Sequence, residues 1–254
     1  PNLNFKLYKG NFMNIVLIGA TSGIGNSLAE NLSKKNKLFI GSRNESKINE
    51  IIDNPTLDKI IGGSVVDVSE FESIEGFLDS AKNELGKIDA IVNCAGSLLL
   101  RPPHMLKEDD ILSVYKTNVF SCLGLLKYGF RHLKDEGGSY LFFSSAASKV
   151  GLKNHEVISG AKGSVSSIAL SAASTYSNYN IRVNAIAPGL VDTPMTHKIT
   201  SSKMSLEYSR KMHGLNRIGK PENFIPIVES LLNKKSDWIT GQTIFVDGGL
   251  SNIK

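Results

Sequence analysis

Cysteine is scarce in this sequence, and the side chains that commonly bind metals are scattered. The 254 residues include two cysteines, Cys94 and Cys122, each within an apolar stretch. Thiols in such surroundings are expected to be reduced and buried, which favours a reducing compartment and predicts a cytoplasmic protein. The histidines and cysteines do not stand at metal-ligand spacing, so no metal site is predicted.

Long hydrophobic runs and dense basic blocks are missing as well. No apolar run approaches the ~20 residues that span a bilayer, so a membrane partner is not expected. The net charge is +5, but pairs such as Lys34-Lys35 fall near expected helix ends, where cations are common. Because no basic block could follow a nucleic-acid backbone, nucleic acid is excluded as a partner. No serine stands in a nucleophile-elbow pattern, which argues against serine hydrolase chemistry.

The chain instead shows a regular alternation of short apolar runs and helical stretches, with 41% hydrophobic residues to build a core. This alternation predicts one α/β domain over residues 13–254, a doubly wound parallel sheet (Rossmann fold) of about seven strands with helices on both faces. Residues 1–12 are predicted to be an extension outside this fold, either disordered or an expression remnant. Strands are predicted at 14–18, 37–42, 62–67, 89–93, 139–144, 181–186 and 242–246. Helices are predicted at 25–34, 45–52, 71–84, 108–135, 159–176 and 221–232.

A glycine-rich loop lies between the first strand and the first helix. It reads Gly19-Ala20-Thr21-Ser22-Gly23-Ile24-Gly25. Glycines at these positions permit a tight turn and let backbone N–H groups and a helix N-terminus approach a pyrophosphate. The loop therefore predicts a dinucleotide site at the carboxyl edge of the sheet.

The end of the second strand indicates which dinucleotide is bound. A site for NAD places an acidic residue there to accept from the ribose 2′-hydroxyl, whereas this chain has Ser42 and Arg43. A guanidinium pairs with a 2′-phosphate in forked geometry, so NADP(H) is favoured over NAD(H). The alternative is that Arg43 caps the following helix region in solvent.

With these residues in view, the chain resembles the short-chain dehydrogenase/reductase family from about residue 14 to residue 250. Besides the glycine loop, the matching motifs are Asp67-Val68, Asn93-Cys94-Ala95-Gly96, Asn118, Ser144-Ser145, Lys162, Ile181-Arg182-Val183-Asn184, Pro188-Gly189 and Val246-Asp247-Gly248-Gly249. The resemblance implies that Asp67 and Val68 hold the adenine, and that Asn93, Ala95 and Gly96 shape the strand edge beside the cofactor. It also implies cofactor contacts from Lys162 and, at the nicotinamide, from Pro188, Gly189, Val191 and Thr193.

The same resemblance implies that Ser145, Lys162 and Asn118 are catalytic, but one partner is missing. The family signature is Tyr-x-x-x-Lys, and here Ile158 stands at the tyrosine position. In the family the tyrosine exchanges a proton with the carbonyl oxygen, and the nearby lysine lowers its pKa. Such general acid–base help is worth ~10²–10⁴ in rate, and isoleucine supplies none of it.

Several hypotheses follow from Ile158. In the first, the chain is an NADP(H)-dependent oxidoreductase acting on a carbonyl/alcohol pair, and another group carries the proton. His155, which titrates near neutrality, is the first candidate unless it is merely an exposed loop histidine. Lys162, a water held by Ser145, and Tyr140 are weaker ones.

Other hypotheses assume that the chain carries out no redox reaction, or that Ile158 is not the natural residue at its position. The chain is then a redox-silent NADP(H)-binding protein that signals, scaffolds or pairs with an active partner, or a non-redox enzyme that polarises a carbonyl. Alternatively, Ile158 is an engineered substitution.

The polar stretch 193–216 follows the sixth strand and is predicted to be a substrate lid over the ligand edge. Met195, Met204, Met212 and residues 98–100 would line an apolar pocket, with Arg101 and Lys203 able to meet an anion. Ordinary lid packing is the alternative. The helices around Asn118 and after Ser159 are rich in small and apolar residues, which is compatible with the family's dimer interface and equally with packing on the sheet alone. A homodimer or homotetramer is favoured.

Overall fold

The computed structural model describes residues 12–253, which form a parallel sheet in the order β3-β2-β1-β4-β5-β6-β7. Its strands, β1 to β7, are Asn14–Ile18, Lys37–Ser42, Ile60–Val65, Ala90–Asn93, Gly138–Phe143, Ile181–Pro188 and Thr243–Val246. Strand order reverses between β1 and β4, which creates the crevice where doubly wound folds bind their ligands. The predicted fold class is confirmed.

Helices cover both faces of the sheet. Within residues 12–253 they are α1 to α9, namely Gly23–Leu32, Glu45–Ile52, Phe71–Leu85, Glu108–Tyr115, Ser121–Leu133, Glu156–Tyr176, His197–Thr200, Lys203–Met212 and Ile225–Leu232. Side chains alternate along each strand, so Val16 and Ile18 pack under α3, α5 and α6, while Ile15 and Leu17 pack under α1, α2 and α9. Burial on both sides explains why the strands read as continuous apolar runs.

The helix predicted over residues 108–135 is helical from Glu108 to Leu133, but it is not one regular α-helix. A π-helical turn, Lys116–Phe120, separates α4 from α5. The side-chain amide of Asn118 donates to the Val114 carbonyl at 2.9 Å, the acceptor that a regular α-helix would reserve for a backbone N–H. The side chain therefore widens the helix by one residue at this point.

Several predicted boundaries also shift. Strand β3 is Ile60–Val65 rather than 62–67, so Asp67 lies in the loop beyond it. Helix α1 begins at Gly23, two residues before the prediction. Helix α6 begins at Glu156, three residues before the prediction, which makes His155 its N-cap. These ends depend on strand register and capping, which periodicity alone does not specify.

The stretch 193–216 is not an open loop but contains the helices α7 and α8. The expectation for residues 1–12 falls, apart from exposed Phe12, outside the described residues. Among the described residues, no helix combines the length and apolar character needed to cross a membrane. No group of three histidine, cysteine or acidic side chains in residues 12–253 is placed to hold a metal ion.

Candidate active site

A cleft of about 1740 Å³ opens at the carboxyl edge of the sheet. The glycine loop, the ends of β2, β4, β5 and β6, the start of α6 and the helices α7 and α8 all contribute to its walls. Of the predicted site residues, the cleft wall includes Gly19, Thr21, Ser22, Gly23, Ile24, Gly25, Ser42, Arg43, Asp67, Val68, Ala95, Gly96, Ser145, His155, Lys162, Pro188, Gly189, Val191 and Thr193. Asn93 and Asn118 are buried behind this wall.

Two glycines of the glycine loop are packed too tightly to carry a side chain. Gly19 has φ +78°, and a Cβ there would lie 2.7 Å from the Ala95 nitrogen. A Cβ at Gly25 would lie 2.1 Å from the Gly19 carbonyl oxygen. Helix α1 starts at Gly23, directly after the exposed Ser22, so its first N–H groups face the cleft. This is a cradle for an anionic group such as a pyrophosphate.

At the end of β2 the structure separates two roles that the sequence left open for Arg43. Helix α2 is capped by Asn44, whose side-chain oxygen accepts from Lys47 N at 3.0 Å. The Ser42 hydroxyl accepts from Asn44 N at 3.0 Å, which fixes this turn. Arg43 does not cap the helix and instead stands exposed at the cleft rim.

Asp67 is held as a carboxylate by its own loop. Its side chain accepts from the Ser69 hydroxyl at 2.7 Å and from Ser69 N at 2.9 Å. These hydrogen bonds lower the pKa of Asp67, and nearby Arg43 and Lys116 lower it further. The Asp67 side chain therefore lines the cleft as an ionised carboxylate.

Asn118 anchors the loop after β4 to the π-helical turn. Its amide donates to the Ser97 hydroxyl at 3.0 Å, and its side-chain oxygen accepts from Ser97 N at 3.3 Å. A Cβ added at Gly96 would lie 3.0 Å from Asn118 Oδ1 and 3.4 Å from Lys162 Nζ. Two of the predicted catalytic side chains therefore lie close to the space that a side chain at Gly96 would occupy.

Lys162 carries its ammonium into the interior of the site. Nζ donates to the Phe143 carbonyl at 2.8 Å, at the end of β5. Burial lowers the pKa of Lys162 to about 8. Next to it, the Ser144 hydroxyl donates to the Lys162 carbonyl at 2.8 Å, which joins α6 to β5.

Ser145 follows Ser144 directly and turns toward the cleft. Its hydroxyl oxygen accepts from Ala147 N at 3.1 Å. This contact uses one lone pair of the oxygen and leaves its O–H able to donate to a group in the cleft. Ser145 therefore has the geometry to hold a carbonyl or alcohol oxygen.

Comparison with known proteins agrees with this geometry. The family model described as enoyl-(acyl carrier protein) reductase matches residues 19–251. The chain is a short-chain dehydrogenase/reductase. This family consists of oxidoreductases. The chain is 32% identical over 240 residues to the 3-oxoacyl-[acyl-carrier-protein] reductase of Haemophilus influenzae, and the match covers 92% of this chain and 96% of that one.

Further relatives span nearly the whole chain. A chloroplastic tropinone reductase homologue of Arabidopsis thaliana is 30% identical over 245 residues, which are 95% of this chain and 76% of that protein. Among solved structures, a gluconate 5-dehydrogenase from Burkholderia cenocepacia in complex with NADP and tartrate has a TM-score of 0.90. It is 24% identical, and the match covers 96% of this chain and 97% of that one.

In this dehydrogenase/reductase the tyrosine position is apolar. Ile158 is 3% exposed, lies one helical turn before Lys162 on the cleft side of α6, and packs with Val114, Val119 and Ala161. The weak candidate Tyr140 is wrong, because its ring is fully buried in the core under α5 and its hydroxyl lies against Gly129. Burial raises the pKa of Tyr140 well above its ordinary value.

His155 is placed better than an exposed loop histidine. It is half-buried, caps α6 one turn before Ile158, and lines the cleft. Its Nδ1 lies 2.8 Å from the Lys153 carbonyl. A carbonyl only accepts, so Nδ1 carries a proton and Nε2 is left to exchange one.

Arg101 and Lys203, which were predicted to be able to meet an anion, are not brought into the cleft. Both side chains are exposed and stand outside the cleft wall. On α8, Met204, Tyr208 and Met212 face the cleft in place of Lys203. Sequence reasoning missed Ser97, Tyr208 and His213. Tyr208 shares the spacing of Met204 and Met212 on α8, which was a usable signal, whereas nothing local singled out His213.

Proposed function

We propose that this short-chain dehydrogenase/reductase is an NADP(H)-dependent oxidoreductase of a carbonyl/alcohol pair in which His155, rather than a tyrosine, exchanges the proton. The observation that carries the proposal is the convergence of the glycine cradle, Ser145, Lys162 and His155 on one cleft. The relatives described above are named as reductases, one of them of a 3-oxoacyl group, which supports a carbonyl substrate.

The residues at the end of β2 support NADP(H) over NAD(H). Arg43 is free of the helix cap, and Ser42 stands where an acidic residue would repel a 2′-phosphate. The gluconate 5-dehydrogenase and an actinorhodin polyketide ketoreductase, which share the fold, are complexes with NADP and NADPH respectively. In the glycine loop, Gly19 packs against the backbone of Ala95, and Gly25 packs against Gly19. This brings the loop backbone and the start of α1 to the cleft, where a pyrophosphate would bind.

Each remaining residue then has a defined task. When bound, the nicotinamide supplies or accepts hydride. Ser145 donates a hydrogen bond to the substrate oxygen. The Lys162 ammonium donates hydrogen bonds to the ribose hydroxyls of the cofactor. His155 gives or takes the proton at Nε2, because Nδ1 is engaged by the Lys153 carbonyl. The apolar side chain of Ile158 borders this point, and a ligand that covered the lid side chains would exclude water from it.

The proton donor is tested by following loss of NADPH absorbance with a panel of ketones. His155→Gln is expected to lower kcat by ~10²–10⁴ while leaving the dissociation constant for NADPH unchanged. His104→Gln, at an exposed histidine outside the cleft wall, is the matched control. Full activity of His155→Gln together with loss of activity in Tyr208→Phe would assign the proton to the lid tyrosine instead.

A redox-silent NADP(H)-binding protein is the second candidate, favoured by the burial of Ile158 at the proton-donor position. Ile158→Tyr discriminates the two functions. If only Ile158→Tyr turns over ketones, the native chain binds the dinucleotide without transferring hydride. Turnover by the native chain excludes this candidate.

The cofactor preference has its own test. Calorimetric titration should show tighter binding of NADP⁺ than of NAD⁺, and Arg43→Ala should remove most of the difference. Lys47→Ala, an exposed cation on the adjacent helix, is the control. Equal affinity of the native chain for both dinucleotides would contradict the proposal.

The substrate is proposed to be a partly apolar carbonyl compound or alcohol, and residues 193–216 its lid. Met195, Met204, Met212 and Leu98 all line the cleft. Met195 and Met204 are 50% and 82% exposed, so an apolar ligand would cover hydrophobic surface that now faces solvent.

We further propose a cytoplasmic homodimer or homotetramer. Helices α5 and α6 expose Leu123 and Leu170, which are 42% and 62% accessible, and a second copy would cover them. Cys94 and Cys122 are free thiols, and burial raises the pKa of both. Protonated thiols of this kind persist in a reducing compartment.

A further inference from the structure

His213 is a buried histidine that the proposed reaction does not use. It follows the last turn of the lid helix α8, it is 3% exposed, and it lines the cleft on one side and a smaller cavity of about 360 Å³ on the other. A histidine is rarely buried this deeply unless both ring nitrogens have partners.

Both ring nitrogens of His213 are in fact engaged. Leu190 N donates to Nε2 at 3.2 Å, and Nδ1 lies 2.6 Å from the Ser209 carbonyl. A backbone N–H only donates and a carbonyl only accepts, so Nε2 is unprotonated and Nδ1 carries the proton. One neutral tautomer of the imidazole satisfies both contacts.

The two partners of His213 belong to different parts of the site. Ser209 is on the lid helix, whereas Leu190 follows Pro188-Gly189 at the end of β6. Leu190 immediately precedes Val191, one of the residues expected to contact the nicotinamide. On its other side Leu190 is fixed to the chain before α9, because its carbonyl accepts from Gly219 N at 2.8 Å. The imidazole is thus a hydrogen-bonded bridge between the lid and the predicted nicotinamide turn.

The backbone of this turn is shaped to admit the ring. A Cβ at Gly189 would lie 2.7 Å from His213 Nε2 and 3.0 Å from the Asp247 Cα. No side chain fits between the turn and the imidazole, so glycine at this position allows the contact.

We propose that His213 is a positioning residue that sets the nicotinamide turn and the lid helix α8 in one fixed relation. The inference rests on the proposed function, in that the turn is taken to hold the nicotinamide end of the cofactor. Loss of the hydrogen bond between Leu190 and His213 would therefore disturb the nicotinamide end of the cleft. It would leave the adenosine end, at Arg43, unchanged.

The test compares NADPH with 2′,5′-ADP, which carries the adenosine and 2′-phosphate but lacks the nicotinamide. His213→Leu should weaken NADPH binding ~10-fold in calorimetry and leave 2′,5′-ADP binding unchanged. His213→Gln restores an acceptor for Leu190 N and should recover most of the loss. His197→Leu, at an exposed histidine of the lid, is the control. Equal weakening of both ligands, or of neither, would overturn the proposal.

A second measurement does not require any dinucleotide. Hydrogen exchange of the backbone amides at residues 190–193 should be faster in ligand-free His213→Leu than in the native chain, because Leu190 N loses its acceptor. Unchanged exchange there would refute the bridge. Absence of NADPH binding by the native chain, with faster exchange in the variant, would contradict the proposed function and leave the bridge standing.

Discussion

Lys162 shows how much a single residue depends on its surroundings. In the sequence it is an ordinary lysine of a helix, but in the fold its ammonium is buried against the Phe143 carbonyl. Burial is the largest cause of the lowered pKa of Lys162, and no carboxylate of the described residues contributes to the shift. The buried charge of the Lys162 ammonium therefore lowers the stability of the folded chain. A bound cofactor would offset this loss.

A pH-dependent stability follows from this burial. The pKa of Lys162 falls from 10.5 in the unfolded chain to about 8 in the folded one, so between these values the unfolded state binds more protons. The free energy of unfolding of the ligand-free native chain should therefore rise from pH 8 to 10 relative to that of Lys162→Met, by up to ~3 kcal/mol. Urea denaturation at a series of pH values measures the difference.

Lys47→Met, at an exposed lysine of α2, provides the reference for this experiment. Its stability should follow that of the native chain at every pH. If the curves for Lys162→Met and the native chain stay parallel from pH 8 to 10, the ammonium is not buried as described.

At the scale of elements, the π-helical turn between α4 and α5 determines where Asn118 points. The turn places the amide against Ser97 and Val114 and behind the cleft wall. The π-helical turn contains one extra residue. Without it, the residues after the turn would be rotated about the helix axis by about 100° from their present positions. The widened turn is thus part of what positions the loop at Gly96 and Ser97.

Removing this amide should have a measurable cost. In Asn118→Ala the Val114 carbonyl and Ser97 N lose their partner inside the protein, and the free energy of unfolding should fall by ~1–3 kcal/mol. Asn49→Ala, at an exposed position of α2, should stay within ~0.5 kcal/mol of the native chain. Equal stability of Asn118→Ala and Asn49→Ala would show that the turn does not depend on the amide.

At the scale of the whole molecule, Asp89 joins parts of the chain that are far apart in sequence. Its carboxylate accepts from Asn14 N at 2.8 Å and lies 3.1 Å from both Lys87 and Lys234. Burial raises the pKa of Asp89, but the hydrogen bond from Asn14 N and the two lysines outweigh burial and lower it. The amino ends of β1 and β4 and the segment after α9 therefore meet at one ionised group.

Acid should weaken this junction. Because the pKa of Asp89 is lower in the folded chain than its ordinary 3.8, its contribution is complete above that value and is lost as the pH falls through the folded pKa. Asp89→Asn should lower the free energy of unfolding by ~1–3 kcal/mol at pH 7, and the difference should shrink toward pH 2. Asp135→Asn, at an exposed residue, should show no such trend in the same denaturation series.

Much of the fold and the cofactor end of the site could be predicted from the sequence. Strand β1, strand β2 and helix α2 have the predicted bounds, because buried parallel strands are short apolar runs and caps stand at defined positions. The glycine loop was predictable for a similar reason, since the contacts at Gly19 and Gly25 exclude every other residue. Ile158 could be assigned to the tyrosine position from its spacing to Ser145 and Lys162.

The tertiary structure decided what spacing could not. Asn118 in the π-helical turn is hydrogen-bonded to a loop 21 residues away, and helix α8 turns Lys203 away from the cleft while presenting Tyr208 to it. Whether Arg43 or Asn44 caps α2 was settled by one hydrogen bond. The environment of His213 joins segments 23 residues apart. The local sequence determines where strands and turns form and where only glycine fits. The hydrogen-bond partners of a buried polar group are set only when distant segments pack together.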